Sequence, residues 1–157
     1  SPDAASTFSA ADLDRDGLQD VCVGTHTPGR EADNALYFLR RLDASGRRWA
    51  ERRIDFPTGS AQFKGVNAGD IDGDGRTDLV VSFVKAKDKP GLIWLTHDGD
   101  AFSGRWTANE LSGIDGVKHD LVALLDLDGD GDLDAITTEE IANLGVIWYE
   151  NPFRKTR

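Results

Sequence analysis

The nine-residue pattern Asp-x-Asp-x-Asp-Gly-x-x-Asp occurs three times in this 157-residue chain, at Asp12 to Asp20, Asp70 to Asp78 and Asp126 to Asp134. Four carboxylates in so short a span repel one another unless something compensates them, so each copy calls for a cation. Donors that are all oxygen select a hard ion. The first loop offers the side chains of Asp12, Asp14, Asp16 and Asp20 with the backbone carbonyl of Leu18. The second offers Asp70, Asp72, Asp74 and Asp78 with the carbonyl of Arg76, and the third Asp126, Asp128, Asp130 and Asp134 with the carbonyl of Asp132. Gly17, Gly75 and Gly131 share the sixth position, where a sharp turn needs a residue that tolerates positive φ. A crowded, flexible loop with six or seven oxygens suits Ca²⁺ better than Mg²⁺, which keeps its water in a tight octahedron. Zinc is disfavoured because the loops offer neither nitrogen nor sulfur. About three Ca²⁺, one per loop, would bring the formal net charge from −10 to −4.

An EF-hand or dockerin-like loop begins in the same way but requires a bidentate acid at position 12 and then a helix. Position 12 is Val23, Val81 or Thr137, each inside a β-favouring run. The loops are spaced 58 and 56 residues apart, and their flanks repeat with them. Apolar approaches precede them (Phe8 to Leu13, Val66 to Ile71, Leu121 to Leu127), and Val21 to Val23, Leu79 to Phe83 and Ala135 to Thr138 follow. A third element recurs at Ala35 to Leu39, Gly91 to Leu95 and Gly145 to Tyr149, its aromatics Phe38, Trp94 and Trp148 in register. A fourth, at Arg47 to Glu51 and Arg105 to Asn109, is expected near position 159 or 160 in the third copy, beyond Arg157. Four short strands per repeat, turn residues between them and no helical period predict an all-β fold. It consists of three four-stranded antiparallel blades of a partial β-propeller, the third lacking its outer strand. One domain, 1–157, then comprises blades over 6–56, 62–111 and 117–152, with Pro57 to Ala61 and Ser112 to Gly116 as punctuation.

On these residues the chain resembles the FG-GAP/VCBS repeat proteins, integrin-α-type propellers and in particular their bacterial secreted members. The resemblance is carried by Ala11-Asp12-Leu13-Asp14-Arg15-Asp16-Gly17, Gly69-Asp70-Ile71-Asp72-Gly73-Asp74-Gly75 and Leu125-Asp126-Leu127-Asp128-Gly129-Asp130-Gly131. The ending Gly145-Val146-Ile147-Trp148-Tyr149-Glu150-Asn151-Pro152 adds to it. It implies a Ca²⁺ loop between the first two strands of each blade, a role in binding and a place outside the cell or in the periplasm. Arg15 departs from the pattern where the other copies have Gly73 and Gly129. So does the number of repeats, since such rings usually close with about seven blades. Further blades from a longer chain, a homo-oligomer or a partner are therefore expected to cover the open sides.

Composition narrows the partners. The acidic balance argues against nucleic acid and anionic membranes, no apolar run approaches a membrane span, and Ser1-Pro2-Asp3-Ala4 has no signal-peptide character, so an export signal is expected to have been removed. Trp49, Trp94, Trp106 and Trp148 follow the blade period, which favours packing over a sugar platform. Arg40, Arg41, Arg47, Arg48, Arg52 and Arg53 read as a solvated outer edge rather than a glycan site. Glu139 and Glu140 are adjacent on a strand and point to opposite faces, unsuited to one acid/base site. His26, His97 and His119 lack the spacing of a catalytic or zinc constellation and are expected in loops, and the lone Cys22 reads as a buried small hydrophobe. The expected function is a non-catalytic, Ca²⁺-stabilised module for extracellular protein or ligand interaction. The alternative is a carbohydrate-binding or ancillary domain of a polysaccharide-processing enzyme.

Overall fold

The computed structural model describes residues 4–27, 34–55, 57 and 61–152. The expected linker residues 58–60 and the edge of the first blade at Phe56 lie outside the described residues. The first sheet has the order β1 (Ala4–Ala11), β2 (Asp20–His26), β3 (Ala35–Arg41) and β4 (Trp49–Ile54). The second is β5 (Gln62–Gly69), β6 (Asp78–Val84), β7 (Leu92–His97) and β8 (Trp106–Glu110). The third has three strands among the described residues, β9 (Ala123–Leu125), β10 (Asp134–Glu139) and β11 (Gly145–Tyr149), with β10 central. All neighbours are antiparallel, and no helix occurs among the described residues. These are two complete blades and one of three strands, in an unclosed arrangement.

Alternation within each strand decides which side meets which blade. In β7, Ile93 and Leu95 join the core shared with the first blade, beside Leu36, Phe38, Ile54 and Phe63. Leu92 and Trp94 turn the other way, into the core shared with Val122, Ala135 and Tyr149 of the third blade. Each blade is thus apolar on both sides, unlike a sheet with one wet face. The same repeat position shows what a neighbour supplies. Leu13 is 1% exposed and Ile71 7%, whereas Leu127 is 48% exposed. Leu36 and Leu92 are fully covered, and their counterpart Val146 is 73% exposed. On the opposite side, Phe8 is 72% exposed where its counterpart Val66 packs against the first blade. The tryptophans divide accordingly: Trp106 is buried and Trp94 half-buried, but Trp49 and Trp148 keep large surfaces in solvent.

Blades 2 and 3 are also knotted at the ends of the strands away from the Asp loops. His119 donates its backbone N–H to the Phe83 carbonyl, and Asp120 donates to that of Thr138. The Glu139 carboxylate accepts the N–H groups of Val117 and Lys118 (both 3.0 Å) and Ala142 (2.7 Å). Burial pushes the Glu139 carboxyl up, but these backbone donors outweigh it and hold it at about 2. Its neighbour Glu140 pairs with Lys118 instead. Two of the histidines differ from the loop positions expected of them, and His119 lies in the connection between β8 and β9. His26 and His97 close β2 and β7, His119 lies in a bridge to β10, and all three are buried. Imidazole is mostly apolar surface, and a strand end beside a neighbouring blade covers it. Cys22 is buried as expected, and burial pushes its thiol pKa up.

Gly91 leaves the space that the His119 ring fills: a Cβ there would lie 2.0 Å from Nδ1. Gly91→Ala is therefore expected to cost about 1–3 kcal/mol, with part of the loss recovered in the Gly91→Ala/His119→Ala double variant, as chemical denaturation would show. Burial lowers the His119 pKa, against an opposing pull from Glu139, so the imidazole stays neutral in the fold at pH values where it is protonated in the unfolded chain. Its contribution is complete above the ordinary value of 6.5 and declines as pH falls below it. Wild-type stability should accordingly fall relative to His119→Gln between pH 7 and 5. Parallel melting curves for the two proteins would contradict this.

Candidate metal centres

Each Asp loop joins the first strand of its sheet to the second, so all three sit at equivalent corners. The turn is held by the carboxylates themselves. The first aspartate accepts from the sixth-position glycine: Gly17 N–H to Asp12 Oδ2 (2.9 Å), Gly75 N–H to Asp70 Oδ2 (3.0 Å) and Gly131 N–H to Asp126 Oδ2 (3.1 Å). The third-position aspartates Asp14, Asp72 and Asp128 accept from the backbone two residues on, through Oδ1 in every case. Asp16, Asp74 and Asp130 do the same with Leu18, Arg76 and Asp132. The sixth-position glycines have φ between 85° and 94°. Gly73 and Gly129 are left-handed too, and Arg15 is held at φ 63°, a conformation costing a non-glycine residue about 1–2 kcal/mol.

The ninth aspartates turn inward. Asp20, Asp78 and Asp134 are almost completely buried, and each accepts the N–H of the second loop residue: Leu13 (3.1 Å), Ile71 (3.0 Å) and Leu127 (3.1 Å). Asp20 Oδ1 also takes Arg41 N–H, and Asp134 Oδ1 takes Asn151 N–H, both at 2.8 Å and both from the end of the third strand. Burial raises the pKa of Asp20 and Asp78, Asp78 to about 6, with the Leu13 and Arg41 amides and the Ile71 amide opposing it. A carboxylate raised in this way is favoured in its charged form by a cation beside it.

Ligand oxygens of Asp12, Asp14 and Asp20 converge within 4.8 Å of one another, as do those of Asp70, Asp72 and Asp78. In the third loop Asp126, Asp128 and Asp130 converge instead, all exposed. Asp16 and Asp74 are outside these closest groups, and so is Asp134. The second loop fits a cation, since Oδ1 of Asp70 and Oδ1 of Asp78 are both buried without a hydrogen-bond partner. Leu18 and Asp132 donate their backbone N–H groups to their loops; Arg76 does so too and also pairs its guanidinium with Asp74. The first loop recruits Arg40 from β3, whose Nε lies 2.5 Å from Asp14 Oδ2 and whose Nη2 is 3.6 Å from Asp16. No ion pair of this kind is seen at Asp126, Asp128 or Asp130 among the described residues. Neighbouring corners are also tied together. Thr77 donates its hydroxyl to the Asp12 carbonyl (3.2 Å), and Asn151 donates its amide to the carbonyls of Ile71 (2.7 Å) and Leu133 (3.2 Å). Sequence reasoning passed over Arg40, Thr77 and Asn151 as parts of the site. Only Asn151 had a signal, its place in the ending Gly145 to Pro152 that adds to the family resemblance.

Residues 12–81, which contain the first two loops, match the family model of the FG-GAP-like repeat. Over that segment the chain is similar to this repeat family, with loops placed between the first and second strands of propeller-type blades. No curated protein matches the chain. Among the described residues, no helix is long and apolar enough to cross a membrane.

The two kinds of aspartate separate experimentally. In chelator, Asp20→Ala should cost about 1–3 kcal/mol, because it strands two buried backbone donors. Asp72→Asn, which keeps an acceptor for Asp74, should stay within about 0.5 kcal/mol of wild type. In Ca²⁺ the Asp72→Asn protein should lose the stabilisation of one site, read as a smaller calcium-dependent rise in melting temperature.

Proposed function

We propose that this chain is a non-catalytic, Ca²⁺-binding module of the β-propeller type that works outside the cell or in the periplasm, its metal loops bracing blades whose surfaces meet a partner. The observation that carries the reading is the convergence of three carboxylates at each of three corresponding corners, with oxygen as the sole donor. When bound, Ca²⁺ supplies the positive charge these corners need. Asp12, Asp14 and Asp20 would hold it in the first loop, Asp70, Asp72 and Asp78 in the second, and Asp126, Asp128 and Asp130 in the third. The protein's own contribution is the rigid turn that presents them. A non-catalytic role is supported by how the reactive side chains are spent. Glu139 is committed to backbone amides, Cys22 is buried with a raised thiol pKa, and the three histidines are buried among the blades. An extracellular setting suits loops of this kind, whose affinities of about 10⁻⁴ to 10⁻³ M match calcium levels there. The uncovered sides of blades 1 and 3 support further blades, from a longer chain, a second copy or a partner.

A carbohydrate-associated role is a second reading, favoured by the exposed indoles of Trp49 and Trp148. A glycan array probed in Ca²⁺ and in chelator separates the two, since the first reading expects no calcium-dependent sugar signal. Titration calorimetry is expected to show uptake of about three Ca²⁺, and absence of any uptake would overturn the metal reading. At ten times the dissociation constant each site should add about 1.4 kcal/mol of stability, so the melting temperature should fall on chelation.

A further inference from the structure

At the first corner a cation already sits on the converging carboxylates, and the chain itself supplies it. Arg40 of β3 brings its Nε within 2.5 Å of Asp14 Oδ2, on a side chain only 8% exposed. Neither atom has a hydrogen-bond partner, so charge rather than hydrogen-bond direction holds the pair. A second contact seats the guanidinium: its Cζ lies 5.7 Å from the centroid of the Phe102 ring, in the connection between β7 and β8. Phe102 is in turn fixed edge-on to Phe38, with ring centroids 5.3 Å apart.

The register sets this loop apart from the others. Phe38, Trp94 and Trp148 pair with Cys22, Val80 and Ile136, each two residues beyond the ninth aspartate. Two residues further along, Arg40 therefore corresponds to Thr96 in blade 2 and to Glu150 in blade 3. Arg76 does not take its place, because its partner Asp74 lies outside the converging group of the second loop. The carboxylate oxygens differ accordingly. In the first loop every oxygen of the converging group has a partner within the chain. Both oxygens of Asp12 accept backbone N–H groups, from Asp16 and Gly17, and both of Asp20 do so from Leu13 and Arg41. Asp14 divides between the Asp16 N–H and Arg40. In the second loop Asp70 and the fully buried Asp78 each keep one buried oxygen without a hydrogen-bond partner. A cation gains most at oxygens left in that state.

A guanidinium and a divalent ion cannot share Asp14 Oδ2, since at that separation their like charges repel strongly in a site partly withdrawn from water. We propose, on the metal reading of the loops, that Arg40 is a tethered counter-cation that Ca²⁺ must displace from Asp14, so that the second loop fills at lower calcium than the first. Two corners built on one pattern then answer to different calcium concentrations, and the side chain that sets the interval is Arg40.

The full chain carrying Asp72→Asn and Asp128→Asn keeps one complete set of converging carboxylates, at the first loop, and calorimetric titration with Ca²⁺ reads the affinity of that loop. On this background Arg40→Gln keeps a stem against Phe102, and Arg40→Thr installs the residue of blade 2. Each should tighten binding about fivefold, the equivalent of one part-exposed ion pair. In chelator the same variants should melt at or slightly below the temperature of their background, because the ion pair is gone. A side chain that merely supported the turn would move both readings the same way, toward weaker binding and lower stability. In the otherwise unaltered chain, Asp72→Asn should remove a tighter phase of calcium uptake than Asp14→Asn removes. Affinity that does not rise in an Arg40 variant that melts cooperatively, or the reverse order of the two phases, overturns the proposal. Calcium uptake by the unaltered chain with no gain in these variants sinks this proposal alone, whereas no uptake by the unaltered chain sinks it together with the metal reading.

Discussion

A buried carboxylate heads the second strand of every sheet, and the remaining architecture is arranged around it. Asp20, Asp78 and Asp134 give up water and receive backbone amides in return, closing the acidic loop onto the strand that follows it. In blades 1 and 3 the same carboxylate reaches across to the end of the third strand. Loop and sheet are consequently fixed to each other through one side chain. The desolvation that raises the pKa of Asp20 and Asp78 is the cost of that arrangement, and a divalent cation bound at the corner would offset it by favouring the ionised form. A cation held at the corner would thus be coupled to blade geometry through that one carboxylate. The first loop offsets part of its charge with Arg40, and the second with Arg76.

Packing follows a similar economy. Since each blade is apolar on both sides, no blade is complete without a neighbour, and exposure at a given repeat position reports whether the neighbour is there. Blade 2, covered on both sides, has a β6 buried along its whole length. Blades 1 and 3 are each well packed on one side and wet on the other. The corner contacts through Thr77 and Asn151 and the bond from the His119 N–H to the Phe83 carbonyl tie neighbouring blades at opposite ends of their strands, so that side-chain packing between the sheets is bracketed by hydrogen bonds.

Much of this was legible in the residues. The three aspartate loops announce both their chemistry and their period, the sixth-position glycines announce the turn, and the β-favouring runs on either side announce the strands. The three-stranded third sheet followed from counting along the repeat. What was not legible depends on partners distant in sequence. Nothing local says that the ninth aspartate turns inward onto amides while the first faces the loop, because the pattern treats them as equals. Arg15 departs from the glycine of the other two copies, and its residue type does not tell that the turn holds it in the same left-handed conformation as Gly73 and Gly129. His26 and His97 looked like loop residues because a polar ring at a strand end is indistinguishable, in sequence, from one just beyond it. Their burial is decided by the blade alongside. Trp49 and Trp148 share the period of Trp106 and Trp94, and only the presence of a neighbour distinguishes the exposed pair from the covered one.

The wet sides of blades 1 and 3 are not alike. One presents Phe8, in the position that Val66 uses to meet the blade before it; the other presents Leu127, Val146 and Trp148, in the positions that Leu13, Leu36 and Phe38 use to meet the blade after. They are the two halves of a single interface that the molecule already contains twice, so the chain has a head and a tail. Contact between such halves is heterologous: it has no two-fold axis, and it propagates in one direction until rotation brings tail to head or growth continues as a fibre.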